Sequence, residues 1–305
     1  MDIFCLYESG AVSPHLDIAI ESEIDGNSEA AHNHLTELFY EELKALPLET
    51  KTRQLFRFSA IPNIKDVDFV HNPLIKDIRN GSLTLSNPKK FNDPMDPILW
   101  EWLNINKDIE VEKKFRKIFK MEKNILEKNL RICCLVDPIP HRRGNSFCVQ
   151  NPVENCSPLM WAHYANSHRG ICIEYEISPE AIEQHNDDSH VLRLCDVRYR
   201  GQKMMSNYIT LDNALLAKGQ YWEYENETRL IYYTSNNTDW RNSKGGIKDY
   251  VTIDGFEIKA VYLGYRIGEK EESELRNLLY GRGIELYKMK FSRDDITRLV
   301  PQKIY

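Results

Sequence analysis

From Ile171 to Ile177 the chain alternates strictly: Ile171, Ile173, Tyr175 and Ile177 fall on one side, Cys172, Glu174 and Glu176 on the other. A period of two with one apolar side is the pattern of a strand whose one face covers a core. Gly170 precedes it, where a chain without a Cβ turns freely. Before the glycine lies Trp161-Ala-His-Tyr-Ala-Asn-Ser-His-Arg169. Met160, His163 and Tyr164 recur there at helical spacing, which predicts a helical turn or two over Trp161 to Ser167. Any fold open to this chain must bring that polar, histidine-bearing lip to the end of a core strand.

The flanking segments alternate in type without βαβ regularity, which predicts an α+β fold. Short strands are expected at residues 53–59, 82–86, 131–136, 191–199, 257–264 and 284–291. An amphipathic helix is expected over 29–46, with Leu35, Leu38, Phe39, Leu43 and Leu46 toward a core. Another is expected near 66–80, interrupted by Pro73, and a long one over 99–130, through Ile109, Phe115, Ile118, Phe119, Ile125, Leu126 and Leu130. Shorter helices fit 208–217 and 269–279. No repeat or clear linker divides the chain, so its 305 residues read as an N-terminal helical cap or arm (1–50) and one α+β domain (51–305) with a helical insertion near 99–130.

Composition excludes some functions. A formal net charge of -6 argues against broad nucleic-acid binding, although His141-Arg-Arg143 is a local basic patch in a long loop. Seven cysteines, an odd number, in mostly apolar surroundings fit a reduced, cytoplasmic protein. Neither a leader peptide nor an apolar run long enough for a bilayer is visible.

Two places stand out chemically. In Arg53-Gln-Leu-Phe-Arg-Phe-Ser59, Arg57 shares a strand face with Leu55 and stands between two phenylalanines. A guanidinium there needs a carboxylate, a phosphate or water. In Trp222-Glu-Tyr-Glu-Asn-Glu-Thr-Arg229, Glu223, Glu225 and Glu227 alternate and are expected to share one face of an extended segment. Their repulsion must be relieved by solvent, by cations such as Arg229, or by ligand hydroxyls. The rigid turn cluster Asn87–Pro94 is suited to shaping a corner or to holding Asn92 and Asp93 toward a ligand. His163 and His168 are five apart, which is not the same-face spacing of helical zinc ligands, and no paired-cysteine motif accompanies them, so no metal site is expected. Nucleophile-elbow, P-loop and dinucleotide glycine motifs are all missing.

Taken together, Leu55-Phe-Arg-Phe58, Ser86-Asn-Pro-Lys-Lys-Phe-Asn-Asp-Pro94, Leu159-Met-Trp-Ala-His-Tyr-Ala-Asn-Ser-His-Arg-Gly170 and Trp222–Arg229 resemble the hallmarks of a widespread bacterial family of unknown function, DUF2971. More distantly, their order is similar to that of ADP-ribosyltransferases. That likeness implies a single mixed domain around a central split, antiparallel-rich sheet with helical insertions, and NAD as the substrate. It implies Arg57 as the early NAD-holding position and Glu225 with Glu227 as the late Glu-x-Glu. Ser86 or Tyr164 would fill the middle position. In that scheme Arg57 binds phosphate, Trp161 or Tyr164 stacks on nicotinamide, Glu227 bonds the ribose 2-hydroxyl and Glu225 orients an acceptor. Asn92, Asp93, His163 and His168 would complete the cleft. The expected function is that of an ADP-ribosyltransferase or NAD glycohydrolase, as a toxin or anti-phage effector with a protein or nucleic-acid acceptor. Two alternatives stay open: a nucleic-acid enzyme or binder using His141–Arg143 and Arg169, and a non-enzymatic sensor whose N-terminal helix binds a protein partner.

Overall fold

The structure, a computed structural model, describes residues 18–19, 21–23, 25–61, 72–91, 96, 113–138, 151–200, 211–295 and 298–305. In its first half the chain forms helix α1 (Ser28–Lys44), strand β1 (Arg53–Ser59), α2 (Pro73–Asn80), β2 (Ser82–Ser86), α3 (Lys113–Asn129) and β3 (Leu130–Val136). The central part contributes α4 (Pro158–His163), β4 (Ile171–Ile177), α5 (Pro179–Glu183), β5 (His190–Asp196), β6 (Arg198–Arg200), α6 (Leu211–Leu216) and β7 (Ala217–Gly219). The remainder adds β8 (Glu227–Thr234), β9 (Tyr250–Asp254), β10 (Glu257–Leu263), α7 (Glu269–Leu279), β11 (Glu285–Phe291) and β12 (Leu299–Lys303). The fold is α+β, with a mixed sheet and helical insertions.

Local chemistry sets several boundaries. The Asn27 side chain caps α1 by accepting from the Ala30 amide at 3.1 Å. Pro73, expected to interrupt a helix, instead opens α2 behind the Asn72 cap. At the first helical turn its missing N–H costs nothing and its fixed φ suits the helix. Gly81 ends α2 at φ 67°, and a Cβ there would stand 2.8 Å from the Phe256 carbonyl oxygen. Leu130, expected at the end of a helix, opens β3.

Among the described residues ten strands form one sheet, and β6 and β7 pair apart from it. The sheet runs β12-β11-β10-β4-β1-β3, with the β10–β11 pair parallel and its neighbours antiparallel. β8 covers one edge of β3 from Leu130↔Tyr233 to Val136↔Glu227, and β5 lies beyond it. The other edge of β3 is shared: β1 meets it at Phe56↔Val136, and β2 at Ser86↔Ile132. There the sheet splits, and β2 leaves paired with β9.

Each face buries its own apolar residues. On one, Leu55, Ile171, Ile173 and Tyr175 pack with Leu74 and Ile78 of α2 and with Leu275 and Leu279 of α7. On the other, two separate clusters form. The first joins Ile132, Ile231 and Tyr233 to Leu35, Phe39 and Leu43 of α1, Ile125 of α3 and Leu215 of α6. The second joins Phe56, Phe58 and Val136 to Met160 and Trp161 of α4. The N-terminal helix is thus built into the core through one face, as its apolar spacing predicts. β4 departs from expectation in the opposite sense: Cys172 and Glu174, on its supposedly open side, are buried as well. Glu174 is tolerated there because Gln54 and the Tyr262 hydroxyl both donate to it.

Candidate active site

The gap between the two clusters on the second face is polar. Register places it. Phe56 opposes Val136, and Val136 opposes Glu227; two residues along, Cys134 opposes Arg229, and Ile132 opposes Ile231. Opposed residues share a face. Going down β3, an apolar pair therefore gives way to Cys134 with Arg229 and then to an apolar pair again. Glu227 and Arg229 are buried in that gap, Arg229 at 0% exposure.

Five charged side chains meet there. The Lys218 ammonium, at the end of the apolar run Leu215-Leu-Ala217, lies 2.6 Å from Glu225 Oε2, 2.9 Å from Glu227 Oε2 and 3.1 Å from Asp96 Oδ2. Arg229 Nε donates to Glu227 Oε1 at 2.7 Å, its Nη2 donates to Asp96, and its Nη1 donates to the Leu215 carbonyl at 2.6 Å. The Glu227 amide donates to the Tyr199 hydroxyl at 2.7 Å. On the other side the Tyr164 hydroxyl donates to Glu225 Oε1 at 2.6 Å. Three carboxylates thus face two cations in a buried cluster.

The protonation states divide accordingly. Burial pushes the Glu227 carboxyl up, but Arg229 and Lys218 outweigh burial and bring it down to about 2. Burial also raises the Glu225 carboxyl, and there the opposing pull of Lys218 and Tyr164 is insufficient, so it stays above the ordinary carboxylate range. Burial works against the Lys218 ammonium, yet Glu227, Asp96 and Glu225 hold it protonated well above the usual range. That removes Lys218 as a nucleophile. Cys134 lines the same space.

Above the cluster is a cavity of about 210 Å³. Glu225, Glu227, Asp96 and Lys218 form its floor, and Phe58, Phe91, Met160, Tyr164, Trp222 and Val136 wall it. A second cavity of about 510 Å³ shares Val136 and Glu227 with the first and reaches Asp137, Asp196, Tyr199 and Thr228. The stretch Tyr224–Asn226 separates them. A small cavity with apolar aromatic walls and a few convergent polar groups is the form of a small-molecule site.

The structure brings together some of the residues singled out in the sequence and separates others. Tyr164, Glu225 and Glu227 meet. Glu223 does not join them, because residues 220–225 form a 3₁₀ helix rather than an extended segment and Asn226 turns left-handed at φ 43°. The strict alternation of the three glutamates is thereby broken, and Glu223 is exposed. Arg57 stands on the opposite face of the sheet, since its neighbour Phe56 is the residue that shares a face with Glu227. It donates to Asp77 Oδ2 at 2.9 Å and to the Thr84 carbonyl at 3.2 Å. Asp77 also accepts from Ser82 Oγ, the Thr84 amide and Thr84 Oγ1. Arg57 therefore cannot share a cleft with the glutamates, contrary to the expected arrangement.

Trp161 is buried edge-on against Phe58, with His168 stacked on it at an interplanar angle of 9°, and so walls the cluster rather than the cavity. His163 is exposed near the rings of Tyr164 and Tyr224. Ser86 lies at the split in the sheet, its hydroxyl donating to the Ile132 carbonyl at 3.4 Å. Asn92, Asp93 and His141–Arg143 fall outside the described residues.

The histidine-bearing lip has its own shape. Asn166, Ser167 and His168 have φ of 47°, 52° and 67°, three consecutive non-glycine residues in the left-handed region. A Cβ on Gly170 would fall 2.2 Å from the Ser59 carbonyl oxygen, so this turn lies directly on the end of β1. It swings Tyr164 toward Glu225 while Ile171 enters the sheet.

Lys218 and Asp96 were not foreseen from sequence. Their signals were faint: a lysine closing an apolar run, and a second aspartate two residues after Pro94. No helix among the described residues is long and apolar enough to cross a membrane. No curated protein and no solved structure matches the chain. Residues 160–230, which carry the left-handed turn, Lys218, Glu225, Glu227 and Arg229, match the family model described as protein of unknown function (DUF2971).

Proposed function

We propose that the aromatic-walled cavity is the active site of an enzyme that breaks the N-glycosidic bond of a nicotinamide nucleotide, NAD in the first instance. The ribosyl group would pass to water, as in an NAD glycohydrolase, or to an acceptor, as in an ADP-ribosyltransferase. The observation that carries the reading is Glu225, a carboxylate with a raised pKa on the cavity floor, fixed from two sides by Lys218 and Tyr164. As the bond from the anomeric carbon to the ring nitrogen breaks, its electron pair goes to the nitrogen and positive character develops on the sugar. A preorganised carboxylate stabilises that charge. The same group then accepts the proton of the attacking water or acceptor, a task suited to a carboxyl whose pKa is moved toward neutrality. Glu227, ionised between Lys218 and Arg229, would position the floor. This gives Glu225 the catalytic part that the ADP-ribosyltransferase likeness implies for Glu227, makes Glu227 a positioning residue, and leaves Arg57 out of the reaction.

Removal of NAD by such a site would suit a toxin or an anti-phage effector. The direct test is incubation of the purified chain with labelled NAD, alone and with cell lysate as acceptor. Nicotinamide release or label transfer is expected, with a loss of about 100-fold or more in Glu225→Gln. Absence of both products from the wild-type chain would sink the proposal.

A further inference from the structure

The cavity carries opposite charge at its two ends. On the floor, among the described residues, Asp96, Glu225 and Glu227 face Lys218 and Arg229, three negative groups against two positive. All five are buried. The walls suit a cation as well. The Lys218 ammonium already lies 5.3 Å from the centre of the Trp222 ring, and the Arg229 guanidinium 5.8 Å from that of Phe91.

The opposite balance holds where the cavity meets solvent. The turn Pro88–Lys90 leads into Phe91, and Lys90 and Phe91 both line the cavity. Lys90 Nζ is 3.2 Å and Lys89 Nζ 3.8 Å from the two carboxylate oxygens of Asp249. These side chains are 47%, 43% and 40% exposed, against 7% or less for the floor. Two ammonium groups therefore share one carboxylate, Lys90 on the cavity lining and Lys89 beside it in the same turn. Size adds a constraint. At about 210 Å³ the cavity is smaller than pockets that enclose a whole ligand, so a nicotinamide nucleotide would place its ring end inside and the remainder, in NAD the second nucleotide, outside the mouth.

Resting on the reading above, we infer that the site takes a ligand with a planar cation at its inner end and a phosphate at its mouth, with Lys89 and Lys90 as the phosphate subsite. The chemical class is an oxidised pyridinium nucleotide. The reduced form presents an uncharged ring to a floor with surplus negative charge. A bare riboside leaves the mouth lysines to Asp249.

Calorimetry on the full chain with four probes tests this: nicotinamide mononucleotide, its reduced form, nicotinamide riboside and inorganic phosphate. The oxidised mononucleotide is expected to bind about tenfold more tightly than either the reduced form or the riboside, and phosphate alone more weakly still. Lys89→Glu with Lys90→Glu should abolish the advantage over the riboside and keep the preference for the oxidised ring. Glu225→Gln should do the reverse, with circular dichroism confirming that both variants fold. Equal binding of oxidised and reduced mononucleotide, an unchanged phosphate advantage in the lysine variant, or no binding by any probe would overturn the inference. Tight, discriminating binding without cleavage would instead sink the glycosidic reading and leave the inferred polarity standing. Cleavage without discrimination would do the opposite.

Discussion

Two arginines lie in strands of the same sheet, on opposite faces, and their surroundings differ in one decisive respect. Among the described residues Arg57 meets a single carboxylate, Asp77, which three further donors from Ser82 and Thr84 complete. Charge balances one to one, and no cavity among those described borders Arg57. Arg229 meets Glu227 and Asp96, shares them with Lys218, and still leaves Glu225 only partly compensated beside open space. An arginine in an apolar strand is thus not by itself a sign of a site. What separates these two regions is an unbalanced carboxylate with room in front of it.

The comparison is most easily broken at Arg229. Replacing it by Met strands Glu227 and Asp96 without their guanidinium, and unfolding in urea should show a loss of about 3–5 kcal/mol. A loss below about 1 kcal/mol would mean that the cluster is not the buried network described. Arg57→Met should cost less, about 2–3 kcal/mol, because its side chain is 20% exposed and Asp77 keeps its other donors. Its effect on binding at the cavity should be negligible. A folded Arg57→Met chain that no longer binds nicotinamide mononucleotide would erase the distinction between the two faces.

Acidity sharpens the contrast within the second region. The Glu227 carboxyl is depressed to about 2 from an ordinary 4.5. Its contribution to stability is therefore complete above about 4.5 and is lost as pH falls toward 2. The Glu225 carboxyl is raised. Its protonated form persists in the fold above pH 4.5, and stability declines as pH rises through its folded value. Urea midpoints measured against pH should lose the acid limb in Glu227→Gln and the higher-pH decline in Glu225→Gln. Identical profiles in the two variants would show that the glutamates are not differently held. The smallest effect is expected from Tyr164→Phe, about 1 kcal/mol for one hydrogen bond. The Glu225 carboxyl should move further up, followed by its carbonyl stretch in infrared titration.

Where periodicity is strong, sequence and structure coincide. β1 spans residues 53–59 and α7 spans 269–279, both as the apolar spacing predicts. The side-chain parity of β1 was also legible, since Leu55 and Arg57 do share a face. What no local pattern discloses is which face holds the chemistry. That depends on β1 pairing with β3 and β3 with β8, contacts between segments far apart in the chain. Glu225 and Glu227 were visible as a charged pair, but their geometry was not. A left-handed Asn226 replaces the expected extended backbone, and a lysine from the preceding strand joins the two carboxylates. His168 shows the converse error. Its side chain suggests a ligand contact, whereas the backbone angles of Asn166, Ser167 and His168 form a reversal for which short polar residues are among the less costly choices.

The junction at Lys218 has a kinetic consequence. Arg229 and Asp96 are 133 residues apart, and Tyr164 and Glu225 are 61 apart. No member of the cluster can leave water cheaply until its distant partners arrive. The floor of the cavity should therefore close after the sheet has assembled, on the native side of the folding barrier. Lys218→Met is expected to accelerate unfolding in stopped-flow measurements while leaving the refolding limb nearly unchanged. A refolding rate slowed in proportion to the lost stability would place the cluster in the nucleus instead. On the kinetics expected here, the part of the molecule best suited to chemistry is also the last to exist each time the chain folds.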